Sequence, residues 1–261
     1  MQTIELEFVE SVIKISLNRP REFNALTELM LNELIKVIEN VRNDRGVRAV
    51  VLTGNGRAFC YGLDAKELDS LNGEAEKTRI SVLLKKFQAI ILAIATLDRP
   101  VVAAINGFAT GAGLDLTLAC DIRLAAEKVK LSSAYVKMAL IPDGGGTYFL
   151  PRIVGYGRAM EMIIRGTVLT AEEALGIGLV SDVKPADRLV EEALSVAREI
   201  ADGPTRAIAL AKRAVFANSS NDLAQALEHE SHLQLQCFSS HDHAEAVTAL
   251  REKRSPRFKG N

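Results

Sequence analysis

The sequence predicts an α/β fold that becomes helical toward its end, and three observations carry that reading. Strand-like apolar runs alternate with amphipathic stretches through the first two thirds of the chain. Three of those runs read as buried strands, and glycine-bearing turns punctuate this part of the chain: Thr53-Gly54-Asn55-Gly56, Asn106-Gly107 and Gly144-Gly145-Gly146. From about residue 200 the pattern is helical almost throughout. With 261 residues, 48% hydrophobic and 25% charged, the chain has the balance of a globular protein that buries a core without crosslinks.

Taken in order, Ile4–Phe8 and Val12–Leu17 alternate apolar and polar residues and suggest an antiparallel hairpin. Thr27 is a plausible N-cap for a helix whose apolar face carries Leu31, Leu34, Ile35, Ile38 and Val41. Val47–Leu52 and Val101–Ile105 read as strands buried on both faces, with Asp121–Ala125 a weaker third. Between them a helix from Arg79 to Leu97 stops before Arg99-Pro100, because the residue preceding proline disfavours the helical well. Thr170-Ala171-Glu172-Glu173 is a capping box. Pro185 and Pro204 sit where helices begin, with Asp202-Gly203 breaking the chain between them. An acidic residue after Pro142 and before the glycine run would also suit a helix start, which makes Asp143 a candidate N-cap.

Composition excludes several classes of function. A net charge of −1, from 32 basic and 33 acidic residues, supplies no field for a nucleic-acid backbone. The longest strongly apolar run, Ala89 to Leu97, is far short of the ~20 residues a bilayer span needs, so no membrane partner is expected. Met1–Glu5 has the character of neither a secretion signal nor a transit peptide, and the expected location is the cytoplasm. Cys60, Cys120 and Cys237 are odd in number and widely spaced, as reduced thiols are. His229, His232, His241 and His243 fall in a polar helical region without a completing ligand set, and no metal is expected.

Several segments recur in a telling order. Asn18-Arg19-Pro20 and Asn24-Ala25-Leu26 precede Gly56-Arg57-Ala58-Phe59-Cys60-Tyr61-Gly62-Leu63-Asp64. Then come Pro100–Gly107, Gly111-Ala112-Gly113-Leu114-Asp115, Ala119-Cys120-Asp121 and Ile141-Pro142-Asp143-Gly144-Gly145. In order and spacing this resembles the crotonase (enoyl-CoA hydratase/isomerase) superfamily over essentially the full chain. The resemblance implies a spiral of repeated β-β-α units over residues 1–200. It also implies a helical region over 201–261, used for trimerisation and pocket completion, in a homotrimer or a dimer of trimers. The implied ligand is an acyl-CoA thioester; no separate cofactor is expected, since coenzyme A is part of the substrate. Alternation alone does not choose the spiral over a doubly wound sheet.

The family's shared chemistry is stabilisation of the negative charge on a thioester oxygen as the neighbouring carbon becomes an enolate. By similarity, the backbone amides of Leu63 and Ala112 form this oxyanion hole, the latter at the start of an apolar stretch, Ala112 to Ala119, that reads as a helix. Unpaired amides at a helix start favour an anion there. Small residues at Gly111-Ala112-Gly113 let backbone touch the thioester, although close helix–strand packing would use the same glycines.

The proton chemistry departs from the hydratase pattern. Hydratases of the family orient water with two glutamates, and those positions align with Asp115 and Tyr135. A phenol with a pKa near 10 is a poor base at neutral pH. Asp143 matches an aspartate that serves as acid/base in dienoyl-CoA isomerases and in isomerases of phenylacetate breakdown. The resemblance to the latter extends through Thr147 and Leu150-Pro151-Arg152. The catalytic candidates are therefore Asp143, as proton shuttle, and Asp115. The latter is open between a second acid/base, an orienting group and a capped helical residue. Tyr135, Leu68, Leu71 and Phe87 are candidates for the acyl pocket. Arg21, Ala25, Phe59, Tyr61 and Lys66 match coenzyme A contacts, and Arg257-Phe258-Lys259 resembles a segment that completes a neighbour's nucleotide pocket. The expected activity is an enoyl-CoA isomerase that shifts a double bond or rearranges a ring. The alternatives are an enoyl-CoA hydratase, with Asp115 and Asp143 sharing the water, and a non-catalytic CoA-binding assembly protein.

Overall fold

A computed structural model describes residues 1–67 and 74–261 of the protein. The chain opens with the expected hairpin of β1 (Ile4–Val9) and β2 (Val12–Leu17), paired antiparallel from Ile4 opposite Leu17 to Val9 opposite Val12. Helix α1 (Glu28–Asn43) follows, and the Thr27 hydroxyl accepts from the Met30 amide as the N-cap reading requires. Its buried face is Met30, Leu31, Leu34, Val37, Ile38 and Val41, the 3.6-residue stripe expected of a helix on a core.

Three β-β-α units then succeed one another. The first is β3 (Ala49–Gly54), β4 (Ala58–Cys60) and α2 (Glu74–Ala95). The second is β5 (Val101–Ile105), β6 (Phe108–Thr110) and α3 (Ala112–Leu118). The third is β7 (Ile122–Ala126) and β8 (Lys130–Ser132), leading through a 3-10 turn (Ala134–Met138) to α4 (Gly146–Val154). Each unit gives its first strand to one sheet and its second to another. The larger sheet therefore runs β1-β2-β3-β5-β7 and the smaller β4-β6-β8, parallel from unit to unit. Each unit is one turn of a spiral, and consecutive turns stack edge to edge.

The chain continues through α5 (Tyr156–Arg165), β9 (Val168–Thr170), which adds antiparallel to β8, and α6 (Ala171–Gly176). Thr170 caps α6 in the expected reciprocal box with Glu173. β10 (Asp182–Lys184) closes the larger sheet beside β7. Helix α7 (Leu189–Asp202) packs across β2, β3 and β5, burying Leu189, Ala193, Leu194, Ala197 and Ala201. The chain leaves the sheet at the Asp202-Gly203 break and ends in α8 (Thr205–Asn218), α9 (Leu223–Phe238) and α10 (His241–Glu252).

The glycines do the close-packing work. A methyl on Gly113 would lie 1.9 Å from the Cys60 carbonyl oxygen, and one on Gly107 would lie 2.1 Å from that of Arg57. Helix α3 and the β5–β6 turn thus press backbone to backbone against the β4 segment. The motif asparagines tie the same loops together. Asn24, fully buried, accepts from the Arg19 amide and donates to the carbonyls of Asn55 and Ala58, while Asn106 accepts from the Gly54 amide. Cys60 and Cys120 are buried and burial pushes both thiols up to about 12, which leaves them unreactive.

Candidate functional site

The site is assembled where successive turns of the spiral end. Leu26 donates from its amide to the Gly62 carbonyl and accepts from the Asp64 amide, a short bridge that fixes the strand-like path on either side of Leu63. Leu63 itself is left with an amide that has no protein acceptor among the described residues. The same holds for Ala112, whose position as first residue of α3 denies it an intrahelical partner. Gly62 (φ +97°) and Gly111 (φ +55°) take backbone conformations that disfavour side chains, and a methyl on Gly62 would stand 3.8 Å from the Ala112 nitrogen. The two amide-bearing loops are therefore in contact, as an oxyanion hole requires.

Three side chains converge beside this pair. Helix α3 carries Asp115, at 0% exposure; the 3-10 turn carries Tyr135; the loop before α4 carries Asp143. The Tyr135 hydroxyl lies 2.7 Å from Asp115 Oδ2 and 3.0 Å from Asp143 Oδ1, and the Gly144 amide donates to Asp115 Oδ2 at 3.0 Å. Asp115 Oδ1 is buried and has no hydrogen-bond partner among the described residues. The Tyr135 ring faces Gly111, 4.0 Å from where a β-carbon would be, so the phenol stands between the carboxyls and the loop that bears the Ala112 amide.

Electrostatics at this cluster favour retained protons. Burial raises the Asp115 carboxyl to about 7, with the Asp143 charge adding to the effect and hydrogen bonds from Tyr135 and Gly144, together with the nearby Gly146 amide, opposing it. Burial also raises Asp143, against the hydrogen bond from Tyr135. Tyr135 is pushed up by burial and by both carboxylates, so its phenol stays protonated across the physiological range.

Several expectations are corrected. Asp143 is not a helix cap: α4 begins at Gly146, with Gly145 as its N-cap and no side-chain cap bond. The Tyr135 hydroxyl bridges the two acids, a link the sequence reading did not contain. Phe87, 5% exposed, packs its ring where a Gly144 methyl would be, against the loop that carries Asp143. Leu68 and Leu71 lie outside the described residues. The Phe59 side chain is wholly buried, so any ligand contact there is limited to backbone.

Arg21 and Lys66 are exposed and Ala25 half-buried around the loops that frame Leu63. Tyr61, 56% exposed, packs in a surface cluster with Phe23 and Phe108, tilted against one and edge-on to the other, at ring separations of 5.9 and 6.2 Å. The Arg257–Lys259 backbone is held by its own chain, through bonds from the Arg257 amide to Glu245 and from the Lys259 amide to Asp242.

Sequence reasoning missed the cavity itself. A volume of about 300 Å³ opens beside Asp143 and Gly144, walled by Gln88, Ile91, Leu92, Tyr148, Phe149 and Phe216. Gln88 donates to the Asp143 carbonyl at 3.3 Å. The α2 contributors were detectable only as members of an amphipathic helix, and Phe216 comes from a helix more than seventy residues beyond the loop it faces. The ion pair of Arg19 with Asp64, at 2.9 Å, was likewise hidden in two motif segments. Burial would raise Asp64, but the Lys66 amide and Arg19 outweigh it and hold the carboxyl low.

A pair of unpartnered amides beside a buried acid cluster and an apolar cavity is chemically equipped to hold an anion and to relay protons. The pattern of the family described as Enoyl-CoA hydratase/isomerase matches residues 7–261. The chain is 39% identical over 259 residues to a probable enoyl-CoA hydratase of Rhodobacter capsulatus, covering 99% of this chain and 98% of the relative. It is 36% identical over 261 residues to the 1,2-epoxyphenylacetyl-CoA isomerase of Escherichia coli, covering 100% and 99%. The crystal structure of an enoyl-CoA hydratase from Bacillus anthracis superposes with a TM-score of 0.94 at 38% identity, with both chains fully covered. The chain belongs to the enoyl-CoA hydratase/isomerase family and has the crotonase fold.

Proposed function

We propose that this enzyme is an enoyl-CoA isomerase that moves a double bond, or rearranges a ring, through an enolate. In this reading the amides of Leu63 and Ala112 hold the thioester oxygen as it becomes negative. Asp143 takes a proton from one carbon and returns it to another. Each amide donor contributes about 2.7–4 kcal/mol to such a transition state. The cavity walled by α2, α4 and α8 receives the acyl group.

The observation that carries the choice is the position of the Tyr135 hydroxyl, within 3.0 Å of both carboxyls. A hydratase using Asp115 and Asp143 would need a water in that gap, and the phenol fills it. Asp115, at 0% exposure, has no opening to solvent through which to activate water on its own. The full-length similarity to an epoxyphenylacetyl-CoA isomerase supports the same reading, whereas relatives with hydratase names at similar identity keep water addition as the outcome to test.

Purified protein is incubated with a 3-enoyl-CoA and, separately, with a trans-2-enoyl-CoA in deuterated water. Migration of the double bond with deuterium incorporation is expected from the first, and little hydroxyacyl product from the second. Asp143→Asn is expected to lower isomerisation by about 10²–10⁴-fold while leaving coenzyme A affinity close to the parent and the fold intact. Efficient hydration, or near-normal turnover in the Asn variant, would overturn the proposal.

We further infer that the enzyme assembles as a trimer or a dimer of trimers through its C-terminal helices, of which α9 exposes Leu223, Leu227, Leu235 and Phe238.

A further inference from the structure

We propose that Asp115, Tyr135 and Asp143 share a single acidic proton, so that Asp115 acts through the phenol to set the protonation of Asp143. The inference deepens the isomerase reading and rests on it for the role of Asp143. The geometry alone carries the proton count. A phenol has one hydrogen to donate, yet its oxygen lies within hydrogen-bond distance of two carboxyls, 2.7 Å from one and 3.0 Å from the other. With both carboxyls ionised, one of them would face the phenol's lone pairs across a buried gap with nothing between. One carboxyl must therefore keep a proton and donate it to the phenol oxygen, while the phenol donates to the other.

Two arrangements satisfy this. In the first, Asp115 is the acid, Tyr135 donates to Asp143, and Asp143 is an anion able to act as base. In the second, both hydrogens have moved one step along the chain, Asp115 is the anion, and Asp143 is the acid. The exchange breaks the O–H bonds of Asp115 and Tyr135 and forms new ones at Tyr135 and Asp143, so the phenol keeps one hydrogen throughout, and no heavy atom need move. Asp115 is suited to either state. Its Oδ2 accepts from the Gly144 amide, and the Gly146 amide also favours the anion, while burial favours the acid.

Among the described residues, the ionisable groups acting on Asp115 are Tyr135 of the 3-10 turn and Asp143 of the loop. The other neighbours, Phe87 of α2 and Gly146 of α4, are uncharged. The raised carboxyls are the electrostatic counterpart of this count. During isomerisation Asp143 receives the substrate proton on the oxygen not bonded to Tyr135 and gives it back to a second carbon. Asp115 never meets substrate, which makes it a positioning residue.

Infrared spectroscopy of the substrate-free protein reads the retained proton directly, as a carboxylic-acid C=O band titrated from pH 4 to 9. The band is expected to persist to near neutrality in the parent, and its midpoint is expected to fall by about one unit or more in both Asp115→Asn and Asp143→Asn, because either change leaves one carboxyl free to accept the phenol hydrogen. Absence of the band at pH 6 in the parent, or a midpoint unmoved in either variant, overturns the shared proton. Because this readout needs no turnover, a band that behaves as described in a protein inert toward 3-enoyl-CoA would sink the isomerase reading alone.

Activity tests the route. Asp115→Asn is expected to lower kcat about tenfold with KM within about twofold, and to have no further effect in a Tyr135→Phe background. Multiplicative losses in the double variant would show that Asp115 does not act through Tyr135.

Discussion

Asp115 is an acid in a helix, α3, whose every residue is buried, and the cluster it joins couples catalysis to stability. A carboxyl in the unfolded chain releases its proton near pH 3.9, whereas burial holds Asp115 protonated to about 7. Between those values the folded state binds more protons than the unfolded state. The Asp115 contribution is therefore neutral below about pH 4 and increasingly destabilising as pH rises to about 7. Asp115→Asn removes that cost, so its stability relative to the parent should rise by roughly 1 kcal/mol per pH unit across this window and level off above it. Paired urea titrations at pH 4.5, 6 and 8 measure the difference; a difference independent of pH would show that Asp115 ionises normally in the fold. At this scale the sequence marked the acids but not their link. Positions 115, 135 and 143 carried recognisable residue types, and only the third turn of the spiral brings the phenol between the two carboxyls. Tyr135, read from the chain, was an aromatic residue in place of an expected acid. That its hydroxyl occupies the gap between Asp115 and Asp143 depends on where the 3-10 turn and the glycine loop end.

Elements were the most legible scale, for reasons visible in particular cases. Val101–Ile105 is bounded by Pro100 and by the Asn106-Gly107 turn, so its strand has the predicted limits. The α6 box at Thr170 is local chemistry between neighbouring residues and needs no tertiary context. The packing of α8 was not legible, because it depends on one lysine reaching groups about a hundred residues away. Lys212 donates to the Ile94 and Arg99 carbonyls at 3.0 and 3.3 Å and to Asp121 Oδ2 at 2.7 Å, while Asp121 accepts from the Val101 amide at 2.7 Å. This clamp fixes α8 against the end of α2 and the start of β5. One helical turn farther on, Phe216 forms part of the cavity wall. Lys212→Met takes from the Asp121 carboxylate the ammonium it is paired with, leaving the more distant Arg123. A fully buried broken pair costs about 3–5 kcal/mol, and with the Asp121 side chain 29% exposed the loss here should be about 2 kcal/mol. If the clamp also positions Phe216, KM for a medium-chain acyl-CoA should rise severalfold with kcat less affected. Unchanged KM in a destabilised variant would confine the clamp to stability.

For the molecule as a whole, the distribution of apolar surface separates the spiral from its C-terminal helices. The larger sheet is buried beneath α7, and α1 and α2 bury their apolar stripes in the core. Helix α9 does the opposite: Leu233 is its buried residue, while Leu223, Leu227, Leu235 and Phe238 are 55–75% exposed, and Leu250 of α10 is 80% exposed. Leu223, Leu227, Leu235 and Phe238 are spaced to share one helix face. Single exposed leucines need no explanation, but four large apolar residues on one helix face are the mark of a surface covered by another molecule. A second copy of the chain is the occupant proposed here, consistent with the trimer the sequence led us to expect. Leu227→Glu and Leu235→Glu together place two charges on that face without touching the core. The doubly substituted protein is expected to elute as a species of one chain's mass in light-scattering chromatography, while the parent elutes at three or six times 28.3 kDa. A parent that runs at a single chain's mass would overturn the assembly and leave the apolar face without its proposed partner.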